Sequence, residues 1–203
     1  MADYTFFFNP MSRALIAKWA FAEAGVEPDV VTVEWEDKPA ALLEANPMGK
    51  LPTIVDHAKG GDVIVTEAAA ICHYLAEMEA PDLLPRTEEK AAYFRWMFFA
   101  AGPLEQAITA RSMGWETPVD KQGMAGFGSF DRTMDALDGW LSANDFATGS
   151  RFTMADVYLG SQVDWGLQFG TIPTRHSFAA YKARFDTRDA YIATFGALGD
   201  GKD

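Results

Sequence analysis

Cys72 is the only cysteine in this 203-residue chain. No disulfide can form within it, and the chemistry suits a reducing compartment. Basic residues are scarce as well: 17 Lys and Arg stand against 29 Asp and Glu, a formal net charge of −12. Recognition of nucleic acid or of an anionic membrane surface calls for a basic stripe, and there is none. Long apolar runs are missing. The longest nearly apolar stretch, residues 96–104, contains Gly102 and Pro103 and is far shorter than the roughly 20 residues that span a bilayer. Met1-Ala2-Asp3-Tyr4 has no positive segment leading into an apolar one, so no secretory leader is expected. His57, His73 and His176 are scattered without ligand spacing, and no metal site is expected. What remains is a cytoplasmic globular protein, 49% hydrophobic, long enough for one large domain or two small ones.

The pattern of elements changes along the chain. Tyr4-Thr5-Phe6-Phe7-Phe8 is a buried type of strand, followed by Asn9-Pro10 and by Ser12 in position to cap a helix carrying Leu15, Ile16, Trp19 and Ala20. Gly25 stops that helix, and residues 29–34 form a second strand. A short helix over 39–45 leads to Asn46-Pro47. Strands at 53–55 and 63–65 follow, joined by a turn rich in Lys59, Gly60, Gly61 and Asp62. Thr66 is then placed to cap a third helix bearing Ile71, Tyr74, Leu75 and Met78. This β-α-β-α-β-β-α order fills residues 1–79. Pro81, Asp82 and Pro85 mark a linker over 80–86, and helical patterns alone fill 87–203. Among these is a helix over 88–104 that Pro103 is expected to bend. Within 96–99, Trp96-Met97-Phe98-Phe99 suits packing on the other domain or on a second subunit. Residues 123–128 are glycine-rich without the Lys-Ser/Thr of a phosphate loop, and 196–203 reads as a frayed tail.

Chemistry concentrates between the strands and the helix starts. Leu51-Pro52 opens the β-branched run Thr53-Ile54-Val55. Proline donates nothing to a ladder and belongs at a strand's first residue. With a cis Leu51–Pro52 bond, Leu51 would turn its own N–H and C=O outward, where an extended peptide could pair as an added strand. Glu67 falls at the start of a helix, beside N–H groups that favour a carboxylate. Each piece also has a plain structural reading, as a strand start or as dipole complementation. The junction Asn9-Pro10-Met11-Ser12 lacks the Cys-x-x-Cys of a redox protein, and Cys72 reads as a small buried hydrophobe. Any thiol chemistry must arrive with a ligand.

Pro47-Met48-Gly49-Lys50-Leu51-Pro52-Thr53-Ile54, Thr66-Glu67-Ala68-Ala69-Ala70-Ile71 and Phe152-Thr153-Met154-Ala155-Asp156 resemble three hallmarks of cytosolic glutathione transferases, over nearly the whole chain. The resemblance implies an α/β + all-α architecture: a thioredoxin-like βαβαββα domain that binds glutathione, then an all-helical domain contributing to an electrophile pocket. It implies a transferase with glutathione as co-substrate, a hydrophobic small molecule as second substrate and a homodimer, as relatives usually are, or else a glutathione-dependent isomerase, dehalogenase or peroxidase, or a non-catalytic binding module, on the same fold. By position, Leu51 beside Pro52 would clamp the cysteinyl backbone, and Glu67 would accept from the γ-glutamyl ammonium. The Ala68 N–H would hold its carboxylate, and Lys50 and Lys38 would meet the glycyl carboxylate. Many members carry serine where Ala68 stands, so one hydroxyl bond is missing here. Ser12 is the candidate hydroxyl donor to the thiolate, with Asn9 in reserve, whereas Tyr4 lies too early in its strand. Met11, Met113 and Trp115 are candidates for the apolar pocket. Phe152 to Asp156 forms a helix-capping box that serves folding.

Overall fold

A computed structural model describes residues 3–58 and 60–199. Lys59 of the expected turn, the first two residues of the expected leaderless start and residues 200–203 of the expected tail lie outside the described residues. The chain divides into two compact units. One runs through Leu84 and resumes at Arg188; the other is Pro85–Thr187.

In the first unit, β1 (Tyr4–Phe8), α1 (Ala14–Ala24), β2 (Asp29–Thr32), α2 (Ala40–Ala45), β3 (Thr53–Asp56), β4 (Val63–Thr66) and α3 (Ala68–Met78) follow the expected order. The sheet order is β2-β1-β3-β4. β1 runs parallel to β2 and antiparallel to β3, which is antiparallel to β4. Alternation along β1 sends Phe7 to one face, where Val33, Leu42 and Val55 form a core with α2. Tyr4 and Phe6 point to the other face, onto Phe21 of α1 at ring distances of 5.5 and 5.3 Å. α1 ends as expected at Gly25, whose φ of 69° suits a residue without a side chain.

Several boundaries shift. Arg13, not Ser12, takes the capping position of α1, although the Ser12 hydroxyl still accepts the Ala14 N–H at 3.1 Å. Thr66 is drawn into β4 by pairing with Thr53, which leaves Glu67 to cap α3. Met78, one of the apolar residues expected along α3, is 38% exposed. Tyr74 reaches Asp56 at 2.7 Å through its hydroxyl, and burial, then that bond, pushes its pKa up to about 12.

The last helix, α9 (Asp189–Gly199), differs from its expected place in a helical domain over 87–203, because its partners are in α1. The buried Trp19 ring meets Tyr191 at 5.1 Å and Phe195 at 5.8 Å. Residues 196–199 of the expected tail are therefore helical.

The second unit holds α4 (Lys90–Phe99), a π-helical turn (Ala100–Leu104), α5 (Glu105–Ser112), α6 (Phe130–Ala143), α7 (Met154–Gln168) and α8 (His176–Ala183). Pro103 has no N–H to donate, and it falls inside the wider turn that separates α4 from α5. α7 is its buried centre. Asp156 reaches back to the Thr153 N–H at 2.8 Å, completing the capping box. The same carboxylate accepts from the Ala147 N–H and the Tyr181 hydroxyl.

Candidate functional site

Strand register brings three separate segments to one end of the sheet. Phe7 pairs with Thr53, and Thr53 pairs with Thr66. Beyond that row β1 leaves through Phe8 into residues 9–13, β3 is entered from Leu51-Pro52, and β4 passes into Glu67. Neighbouring strands lie about 4.8 Å apart, so the row from β1 to β4 covers about 10 Å, the reach of an extended tripeptide.

The middle segment is held by side chains. The Leu51–Pro52 bond is cis, as the expected clamp requires. Asn46 donates through Nδ2 to the Lys50 C=O at 3.2 Å and to Thr53 Oγ1 at 3.1 Å. Thr53 Oγ1 in turn donates to the Lys50 C=O at 2.9 Å. Gly49 makes the turn at φ 58°, and a Cβ there would lie 3.2 Å from Lys38 Nζ and 3.1 Å from Leu43 Cδ2. Lys38 therefore crosses the turn that presents Leu51, while Lys50 is exposed on it. Among the described residues no hydrogen bond takes up the backbone N–H or C=O of Leu51.

Glu67 is exposed at the N-terminus of α3. Its φ of 69° and ψ of 122° make it the one non-glycine residue with positive φ among the described residues. Such a conformation costs about 1–3 kcal/mol and persists where the surroundings impose it, commonly at ligand sites. Ala68 follows as the first residue of an 11-residue helix, where N–H groups point outward with no helical acceptor.

On β1's side, the loop closes on itself. Asn9 donates to the Val33 C=O at 2.8 Å and accepts the Met11 N–H at 2.8 Å. The Ser12 hydroxyl donates to the Asn9 C=O at 2.7 Å. Asn9 and Ser12 are both buried, and both side chains already have partners within the loop.

Residues 11–78 match the sequence profile of the glutathione S-transferase N-terminal domain family. The glutathione S-transferase stcT of Emericella nidulans is 29% identical over 177 residues, covering 82% of this chain and 76% of that protein. A solved theta class glutathione S-transferase from Xanthomonas axonopodis pv. citri, with glutathione bound, superposes with a TM-score of 0.72 at 27% identity, over 96% of this chain and 97% of that one. The N-terminal domain of this chain belongs to the glutathione S-transferase N-terminal domain family, and the chain as a whole is similar to glutathione transferases. Elongation factor 1-gamma of Schizosaccharomyces pombe is also similar, 30% identical over 176 residues; the match covers 83% of this chain but 41% of that longer protein.

Other residues singled out in this glutathione transferase relative sit as follows. Met11 is 74% exposed beside the Ser12 loop in the first unit. Met113 and Trp115, 56% and 67% exposed, follow α5 in the second. Cys72 is fully buried, and burial pushes its thiol pKa up, which keeps it protonated and inert. Asn46 and Thr53 were not singled out from the sequence. Their signal was an Asn before Pro47 and a Thr at the inward strand position, types that favour bonds to nearby backbone.

Proposed function

We propose that the chain binds glutathione along the Leu51 edge and activates its thiol for attack on a hydrophobic electrophile. The carrying observation is the convergence, at one sheet end, of an unpaired Leu51 backbone and the strained Glu67 cap. The cysteinyl backbone pairs with Leu51, held cis to Pro52. The γ-glutamyl ammonium meets the Glu67 carboxylate, and its carboxylate takes the N–H of Ala68 at the α3 N-terminus. Lys50 and Lys38 supply point charges for the glycyl carboxylate.

Ser12 steadies the sulfur anion. A free thiol has a pKa of about 8.5, leaving a few per cent thiolate at neutral pH. Serine is too weak a base to take the proton, but its hydroxyl donates to a charged sulfur. That requires turning the O–H from the Asn9 C=O to the sulfur, by rotation about one torsion. Bonds to an ionised acceptor are about twice as strong as neutral ones, so the exchange favours the thiolate. Asn9, with its amide engaged on both sides, holds the loop to β2.

Met11, Met113 and Trp115 are assigned to the electrophile. A cytoplasmic homodimer with a detoxifying role fits this reading. Exposed apolar residues such as Ile64 and Phe98 offer surface for a second copy. A second reading, a non-catalytic binding module, is favoured by the similarity to elongation factor 1-gamma and by Ala68 in place of serine. Calorimetric titration with glutathione, followed by a chromogenic electrophile assay, separates the two. Binding with turnover supports the transferase, binding without turnover the module, and no binding at millimolar glutathione removes both.

A further inference from the structure

A cavity of about 550 Å³ lies in the first unit between the end of α1, the β1–β2 edge and α9. That is within the usual size of small-molecule sites. It shares no residue with those assigned to glutathione. Its floor is aromatic: Phe6 lies 5.4 Å from Phe8 and 5.3 Å from Phe21 between ring centroids. Its wall is Pro28 and Val30, the latter 54% exposed on the terminal strand of the sheet. Two opposite charges stand on its lining. Lys18 Nζ lies 5.6 Å over the Phe8 ring, and Glu27 lines the same space. Neither forms an ion pair among the described residues. Gly25 adds room, since a Cβ there would meet nothing within 4 Å. The buried Thr194 hydroxyl, also on the lining, is engaged with the Ala190 C=O.

We propose that this cavity binds an aromatic zwitterion, of the class of an aromatic α-amino acid, apart from the thiol site. The ring lies on the phenylalanine floor, where offset or edge-on contacts are favourable. The ligand carboxylate meets Lys18 and its ammonium meets Glu27. A simple anion would face Glu27 with no compensating charge, in a chain whose net charge is −12. A simple cation would face Lys18 in the same way. A ligand carrying both charges meets each of the two side chains with the opposite sign.

The test uses the intact chain with L-tryptophan, and with indole-3-acetate and tryptamine as single-charge analogues, followed by 15N-resolved NMR and calorimetry. L-tryptophan is expected to shift the amides of Phe8, Phe21 and Val30 without altering the glutathione titration. Each analogue should bind about tenfold more weakly, as should L-tryptophan to Lys18→Met and Glu27→Gln, the change expected for one charge-assisted contact. Both side chains lie on the surface, so these variants fold. The proposal is overturned by silent amides at millimolar L-tryptophan, by an analogue binding as well as L-tryptophan, or by unchanged affinity in either variant. Competition with glutathione would also overturn it, by placing the ligand in the thiol site.

Discussion

Arg188 grips Glu23 with two N–H···O bonds of 2.7 and 2.6 Å, joining residues 165 positions apart in the chain. The same carboxylate accepts the Trp19 indole N–H at 2.8 Å, so it is positioned by both α1 and the start of α9. Its side chain is 6% exposed, that of Arg188 32%. Removing the guanidinium strands a nearly buried charge. Arg188→Met should therefore lower unfolding free energy by about 2 kcal/mol, less than for a fully buried pair because Arg188 is partly solvated. Urea denaturation checks this, and a loss below about 0.5 kcal/mol would mean that aromatic packing on Trp19 alone holds the helix.

Glu67 separates stability from binding. Replacing it by glycine relieves an unfavourable backbone conformation while deleting the carboxylate. Glu67→Gly should be at least as stable as the parent, by up to about 1 kcal/mol, yet lose at least tenfold in glutathione affinity. Glu67→Ala keeps the strain and loses the same affinity. Thermal denaturation beside calorimetry reads both; a destabilised glycine variant would show that the geometry is not strained.

Thr53 holds the Lys50 carbonyl and receives Asn46. Thr53→Val keeps shape and burial but takes one bond from each of those partners, which keep only the Asn46–Lys50 bond of 3.2 Å, at a cost of about 1 kcal/mol. Glutathione affinity should also fall, because the Leu51 backbone is no longer fixed. Unchanged affinity in a folded variant would remove Thr53 as a positioning residue.

Asp156 gives a pH signature. Burial pushes its carboxyl up to about 6, against the opposing pull of the Ala147, Thr153 and Tyr181 donors. The native state then holds that proton more tightly than the unfolded chain does. Its stabilisation is complete below about pH 4 and is lost as pH rises through 6, about 3 kcal/mol in all. Asp156→Asn cannot titrate. The stability difference between parent and variant should therefore shrink by about that amount from about pH 4 to pH 7, as read from denaturant curves. A difference independent of pH would contradict the raised value.

Much of the fold was legible because it rests on local pattern. The residues of β1, the stop at Gly25, the capping box at Thr153 and Asp156, and the proline opening β3 each announce themselves within a few positions. Three features were not legible, for different reasons. The membership of α9 depends on Trp19 and Glu23, remote in sequence. The conformation of Glu67 is one that side chains rarely adopt, so only the packed structure imposes it. The engagement of Asn9, whose C=O in turn holds the Ser12 hydroxyl, depends on the Val33 carbonyl just beyond the end of β2, remote in sequence. Sequence therefore named the candidate residues of the site, while the bonds that hold them needed tertiary geometry.

The most direct test is an ultraviolet titration of the thiolate of glutathione bound to the parent chain and to Ser12→Ala. Bound to the parent, the thiol should ionise about two pH units below its free value, corresponding to about 2.7 kcal/mol of preference for the anion. In the variant much of that shift should vanish. A thiol that titrates at its solution value in the saturated parent chain would contradict the assignment of this site as one that activates sulfur.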